Sequence, residues 1–112
     1  EHAQKLGYSC EIFQSNHEGD LVDRIQQAYY EKADAIVINP GAYTHTSIAL
    51  LDAVKSVGIP TAEVHITDVT EREDFRQISY IRQACCFTVM GKGTDGYLEA
   101  IDHLIEKIRE NR

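Results

Sequence analysis

Ala33 to Asn39, reading Ala-Asp-Ala-Ile-Val-Ile-Asn, is a near-continuous apolar run, and it limits what this chain can become. A strand that is apolar on both of its alternating faces must be covered on both, as happens in parallel sheets layered between helices. The rest of the chain fits that demand. Tyr8 to Gln14 and Ala84 to Met90 are strand-like, and Ile59 to Ile66 is short, β-branched and mostly apolar. Between them, Glu18 to Glu31 places Leu21, Val22, Ile25 and Ala28 at helical spacing, with Ser15 or Asn16 as the expected N-cap. Thr46 to Val57, closed by Gly58, is a second helix, and Tyr97 to Glu110 is a third, with Leu98, Ile101, Leu104, Ile105 and Ile108 on one face. Alternating strands and helices imply right-handed crossovers and a parallel sheet. Ligands of such sheets bind beyond the carboxyl ends of the strands, the rim where the polar loops after Gln14, Ile38, His65 and Met90 fall.

At 112 residues the chain is one domain, 1–112. A net charge of −7 and the lack of a basic stripe argue against nucleic-acid or anionic-membrane partners. No apolar run is long enough to cross a bilayer. Cys10, Cys85 and Cys86 lack metal-ligand spacing, so reduced, buried thiols and a cytoplasmic location are expected. Glu1 to Leu6 reads as the last turns of a helix with Gly7 as its left-handed cap. A chain opening in mid-helix is expected to be a piece of a longer polypeptide.

Several stretches carry possible chemistry. Residues two apart on a strand share a face, so Glu63 and His65 project side by side. A carboxylate beside an imidazole fixes its tautomer and raises its basicity; the plainer reading is a hydrogen-bonded histidine buried in a sheet. Asn39-Pro40-Gly41 offers an amide that can donate and accept toward a carboxylate or hydroxyl, or simply ends the strand in a turn. His45 lies where a helix begins and free amides favour an anion or hydroxyl, or it caps that helix among Thr44, Thr46 and Ser47. Arg72 and Arg76 share a face if their turn is helical and could grip a carboxylate or diol, or pair with Glu71, Glu73 or Asp74. Gly91 to Gly96 matches G-x-G-x-x-G but follows the last strand with only one helix to come, so a tight strand-to-helix turn explains it better than a dinucleotide site. His65 with Glu63 or Asp68 lacks a third ligand at a known spacing, so no metal is expected. The five lysines look solvated, leaving none for a Schiff base.

Taken together, Phe13 to Gly19, Ile38 to Ser47, Glu63-Val64-His65 and Arg72 to Arg76 closely resemble the type II 3-dehydroquinate dehydratases, and Gly91 to Tyr97 also fits. The resemblance runs essentially end to end, in the right order. It implies a flavodoxin-like three-layer sandwich and a cofactor-free lyase that eliminates water from 3-dehydroquinate to give 3-dehydroshikimate in the shikimate pathway. In that family a deprotonated tyrosine takes a proton α to the ketone, an enolate forms, and a histidine protonates the departing hydroxyl. By motif position His65 would be that acid, oriented by Glu63. Asn39, with the backbone amides of Ile66 and Thr67, would hold the substrate carboxylate. His45 and Arg76 would bind ring hydroxyls, Arg72 would support the site, and Asp52 would reach a neighbouring subunit in a dodecamer built of trimers.

One departure stands out. The family's first strand, with its enolate-stabilising asparagine, and the lid loop bearing an arginine and the tyrosine base would precede Glu1. None of Tyr8, Tyr29, Tyr30, Tyr43, Tyr80 and Tyr97 matches the base's position. Residues 1–112 alone are therefore expected to be nearly inactive, with the absent strand lying between the first and second strands named above. Two competing readings are a non-catalytic relative that keeps the carboxylate pocket and a metal-dependent flavodoxin-like hydrolase using His65.

Overall fold

A computed structural model describes residues 1–111. Three parallel strands, β1 (Ile36–Ile38), β2 (Thr61–His65) and β3 (Phe87–Met90), form one sheet in the order β1-β2-β3. Helices α1 (His2–Lys5), α2 (Glu18–Tyr30), α3 (Ile48–Val57) and α4 (Asp95–Glu110) surround it, and short 3-10 turns occupy Gly41–His45, Val69–Glu71, Asp74–Gln77 and Ile81–Ala84. This is the expected three-layer α/β arrangement of the flavodoxin-like kind.

The strands alternate between two apolar layers. Ile36 and Ile38 join Ile25, Leu50, Ala53, Val54 and Ile81 in a core shared with α2 and α3. Val37, Ala62, Val64 and Val89 face the other way, onto Ala100 and Leu104 of α4. β2, the middle strand, is buried at all five residues, with Thr61, Glu63 and His65 on the face opposite Ala62 and Val64. α3 begins at Ser47, whose hydroxyl accepts from the Leu50 amide at 2.9 Å, and ends at Gly58, whose φ of 65° suits glycine.

The structure corrects several expectations. Tyr8 to Gln14 is irregular chain, with Ile12 93% and Phe13 50% exposed. Its composition suits a strand, but strands exist by pairing, and no described strand lies beside it to bond its backbone. His17, and neither Ser15 nor Asn16, is the N-cap of α2; the Ser15 hydroxyl instead donates to Asp20 at 2.7 Å. Thr46 lies outside α3, and β3 starts at Phe87 because Ile81–Ala84 forms a 3-10 turn. The cysteines are not buried thiols: Cys10 and Cys86 are exposed and only Cys85 is partly covered, since Cys10 lies in irregular chain and Cys85 and Cys86 precede β3. Burial, with the nearby Glu63 charge, pushes the Cys85 thiol up to about 12.

Candidate active site

The register of the sheet places the carboxyl ends of β1 and β2 level. Ile38 lies opposite Glu63, so Asn39 and His65 emerge on the same rim from adjacent strands about 5 Å apart. β3 ends there too, with Met90 opposite His65.

Glu63 is the hub of this rim and is wholly buried. Its Oε2 lies 2.5 Å from His65 Nε2 and accepts from Thr44 Oγ1 at 2.7 Å and Ser79 Oγ at 2.9 Å. Arg82 donates from Nε to Oε1 at 2.9 Å and from Nη2 to Oε2 at 3.3 Å, and Thr88 Oγ1 donates to Oε1 at 3.3 Å. Burial alone pushes the carboxyl up, but hydrogen bonds from His65, Arg82 and Thr44 outweigh it and hold the group at about 2. The carboxylate is thus ionised at any working pH and can only accept, so His65 Nε2 carries the proton facing it. His65, 4% exposed, is left with Nδ1 as the atom that turns over protons. Among the described residues Nδ1 has no hydrogen-bond partner.

The neighbouring loops present a second set of groups. Asn39 Oδ1 accepts from the Gly41 amide at 3.0 Å, while Nδ2 donates to the Tyr97 hydroxyl at 2.9 Å. The amide plane is therefore fixed from both ends, and one Nδ2 hydrogen remains. His45 Nδ1 lies 2.6 Å from the Ile78 carbonyl, which can only accept, so Nδ1 bears the hydrogen and neutral Nε2 is an acceptor suited to a hydroxyl. Its ring meets Phe75 edge-on at 6.4 Å. His45 closes the Gly41–His45 turn and does not cap α3; Ser47 does.

Beyond His65 the chain turns sharply, and the glycine turn after β3 braces it. The Gly91 amide donates to the His65 carbonyl at 3.3 Å and the Gly93 amide to that of Ile66 at 3.0 Å. Ile66 and Thr67 are exposed, and among the described residues their own amides have no partner. Gly91 (φ 78°) is required here, because a Cβ would come within 3.3 Å of Asp68 Cβ. The G-x-G-x-x-G stretch is thus a strand-to-helix turn.

Arg72 and Arg76 do not share a helical face, since Arg72 falls between two 3-10 turns. Arg76 pairs with Glu73 at 2.6 Å and lies 4.9 Å over the Phe75 ring. Both guanidiniums belong to the Asp68–Gln77 segment that overhangs the rim. Asp52 is exposed midway along α3, in a groove lined by Val22 and Gln26 of α2 and by Ala49 and Ser56 of α3 itself. No hydrogen bond or ion pair joins it to the rim cluster among the described residues. Sequence reasoning missed Thr44, Ser79, Arg82 and Thr88 as partners of Glu63, and Tyr97 as the partner of Asn39. Only Thr88 left a signal, as the residue level with Glu63 on the next strand. No group of three or more His, Cys, Asp or Glu residues is arranged to hold a metal ion among the described residues, so the metal-hydrolase reading has no ligand set.

These features can now be set beside known proteins. A family model described as dehydroquinase class II matches residues 1–105. The 3-dehydroquinate dehydratase of Caldicellulosiruptor bescii is 54% identical over 104 residues, covering 93% of this chain and 72% of that one. Catabolic 3-dehydroquinase 1 of Aspergillus terreus is 49% identical over 109 residues, covering 97% and 71%. Among solved structures, the type II dehydroquinase of Butyrivibrio crossotus superimposes with a TM-score of 0.90 at 48% identity, covering 93% of this chain and 72% of that one. The chain belongs to the class II dehydroquinase family.

Proposed function

We propose that this protein is a type II 3-dehydroquinate dehydratase, a hydro-lyase converting 3-dehydroquinate to 3-dehydroshikimate, with His65 as its general acid. The observation that carries the reading is the His65–Glu63 contact at the carboxyl rim, with Glu63 held ionised by hydrogen bonds from His65, Arg82 and Thr44. The reaction removes a proton α to a ketone, leaves an enolate, and expels a hydroxyl that must be protonated as it departs. The acid is the imidazolium, anchored through Nε2–H to Glu63: it delivers its second proton from Nδ1 to the hydroxyl as the C–O bond breaks, water leaves, and the neutral Nε2–H imidazole remains. No tyrosine of this chain is assigned as the base.

Asn39, with the amides of Ile66 and Thr67, binds the substrate carboxylate; Asn39 keeps one Nδ2 hydrogen free, and it leaves the sheet on the same rim as the chain past His65. His45 Nε2 accepts from a ring hydroxyl, and Arg76 donates to another once it leaves Glu73. Arg72 adds positive field to the same overhang. No cofactor takes part. Asp52, away from this rim, faces a neighbouring subunit in a homo-oligomer, a dodecamer of trimers, and the protein works in the cytoplasm. Among the described residues no helix is long and apolar enough to cross a membrane.

The test is the intact protein mixed with 3-dehydroquinate, followed by absorbance of the conjugated enone. Enone should form, and His65→Ala should lower kcat by roughly 10²- to 10⁴-fold, the usual worth of a general acid. Substrate binding without enone would instead establish the non-catalytic carboxylate-binding relative. Sedimentation analysis decides the assembly, a monomer ruling out the role given to Asp52.

A further inference from the structure

Resting on that reading of His65, we propose that Arg82 is a positioning residue: it locks the plane of the Glu63 carboxylate and so fixes His65 as the Nε2–H tautomer. Its Nε and Nη2 reach different oxygens of Glu63, at 2.9 and 3.3 Å, a fork that removes the carboxylate's freedom to rotate. The hydroxyl donors cannot do this. Thr44 and Ser79 have two protons between them for three short contacts: 2.7 and 2.9 Å to Glu63 and 2.6 Å to each other. One contact always lacks a proton of its own, so these rotors can rearrange.

Arg82 is also mounted rigidly. It follows Ile81, only 1% exposed and packed among Leu50, Ala53 and Val54, so the Ile81–Ala84 turn is nailed to the core beneath α3. Charge supplies the second half of the argument. A fully buried carboxylate needs a compensating cation, and among the described residues the Arg82 guanidinium is the one bonded to it besides the imidazole itself. Without Arg82 the imidazolium would be that carboxylate's one remaining cation, so giving up the Nδ1 proton would leave the buried charge uncompensated.

The experiment compares the intact protein with Arg82→Ala and Arg82→Lys, using ¹⁵N spectra of the labelled imidazole and steady-state turnover of 3-dehydroquinate. The parent should show one Nε2–H signature for His65. In Arg82→Ala the tautomers mix and kcat falls roughly 10- to 100-fold, as when the orienting partner of a functional imidazole is lost, while KM changes less than about threefold. Arg82→Lys, which keeps the charge without the fork, recovers part of kcat and retains some mixing. An Arg82→Ala protein with the parent's imidazole signature and kcat within twofold overturns the proposal. So does a loss of kcat with that signature unchanged, which would mean a merely structural role. If Arg82→Ala does not fold, Arg82→Gln is read by the same two measurements. Should the parent turn over no 3-dehydroquinate, the functional reading fails, yet the imidazole spectra still decide the role of Arg82.

Discussion

The two faces of β2 differ in almost everything except their burial. On one, Ala62 and Val64 are wholly covered by Val89, Ala100 and Leu104, and contacts there are apolar and non-directional. On the other, Glu63 and His65 are covered just as well, but by an arginine, two threonines and a serine that each reach a particular oxygen. The apolar face gains stability by leaving water and tolerates small changes of shape. The polar face is stable only while every donor and acceptor keeps its partner, because an unpaired charge there faces neither water nor protein. Five residues thus combine a forgiving half and an unforgiving half.

The comparison breaks most visibly at Glu63. Glu63→Ala should cost about 3 to 5 kcal/mol of unfolding free energy, since it strips the guanidinium and three hydroxyls of their shared acceptor. Chemical denaturation measures this, and a loss under 1 kcal/mol would show that water enters the cavity freely. Acid gives the next largest effect. The Glu63 carboxyl titrates at about 2 when folded against 4.5 for the free group, so its contribution is complete above the higher value and lost as pH falls toward the lower. Integrated over that window the contribution is about 3 kcal/mol, to be seen as a drop in stability between pH 5 and 2 that Glu63→Gln flattens. The smallest effect belongs to the other face. Val64→Ala should cost about 2 kcal/mol through lost burial and a small cavity beside Gly96, and leave kcat near the parent's value. A large fall in kcat for Val64→Ala would show that the two faces are mechanically coupled.

How much of this was legible follows from how local each signal is. Glu63 and His65 are two apart on one strand, so their shared face is fixed by backbone geometry alone. The placement of Asn39 beside them follows from the carboxyl-end rule for parallel sheets, and the apolar run at Ala33 to Asn39 required such a sheet. Arg82 and Ser79 lie 19 and 16 residues from Glu63 in irregular chain, where no periodicity predicts which way a side chain points. Tyr8 to Gln14 misled for the opposite reason. Its residues favour a strand, but strand formation depends on a neighbour, which composition does not encode. At Arg76 two fates were open, and the structure pairs it with the nearby Glu73, three residues back in the same turn.

The glycine turn after β3 touches no group assigned to the chemistry, yet it acts as a mould for those that are. By taking the carbonyls of His65 and Ile66 as its own acceptors, it dictates the path of the chain past β2 and leaves two successive amides unclaimed. Gly91 sits so close to Asp68 that even a methyl group would shove this bend aside, tilting the amide pair without altering a single residue of it. A stretch that looks like a phosphate cradle therefore serves as formwork for the two free amides proposed to belong to the carboxylate grip.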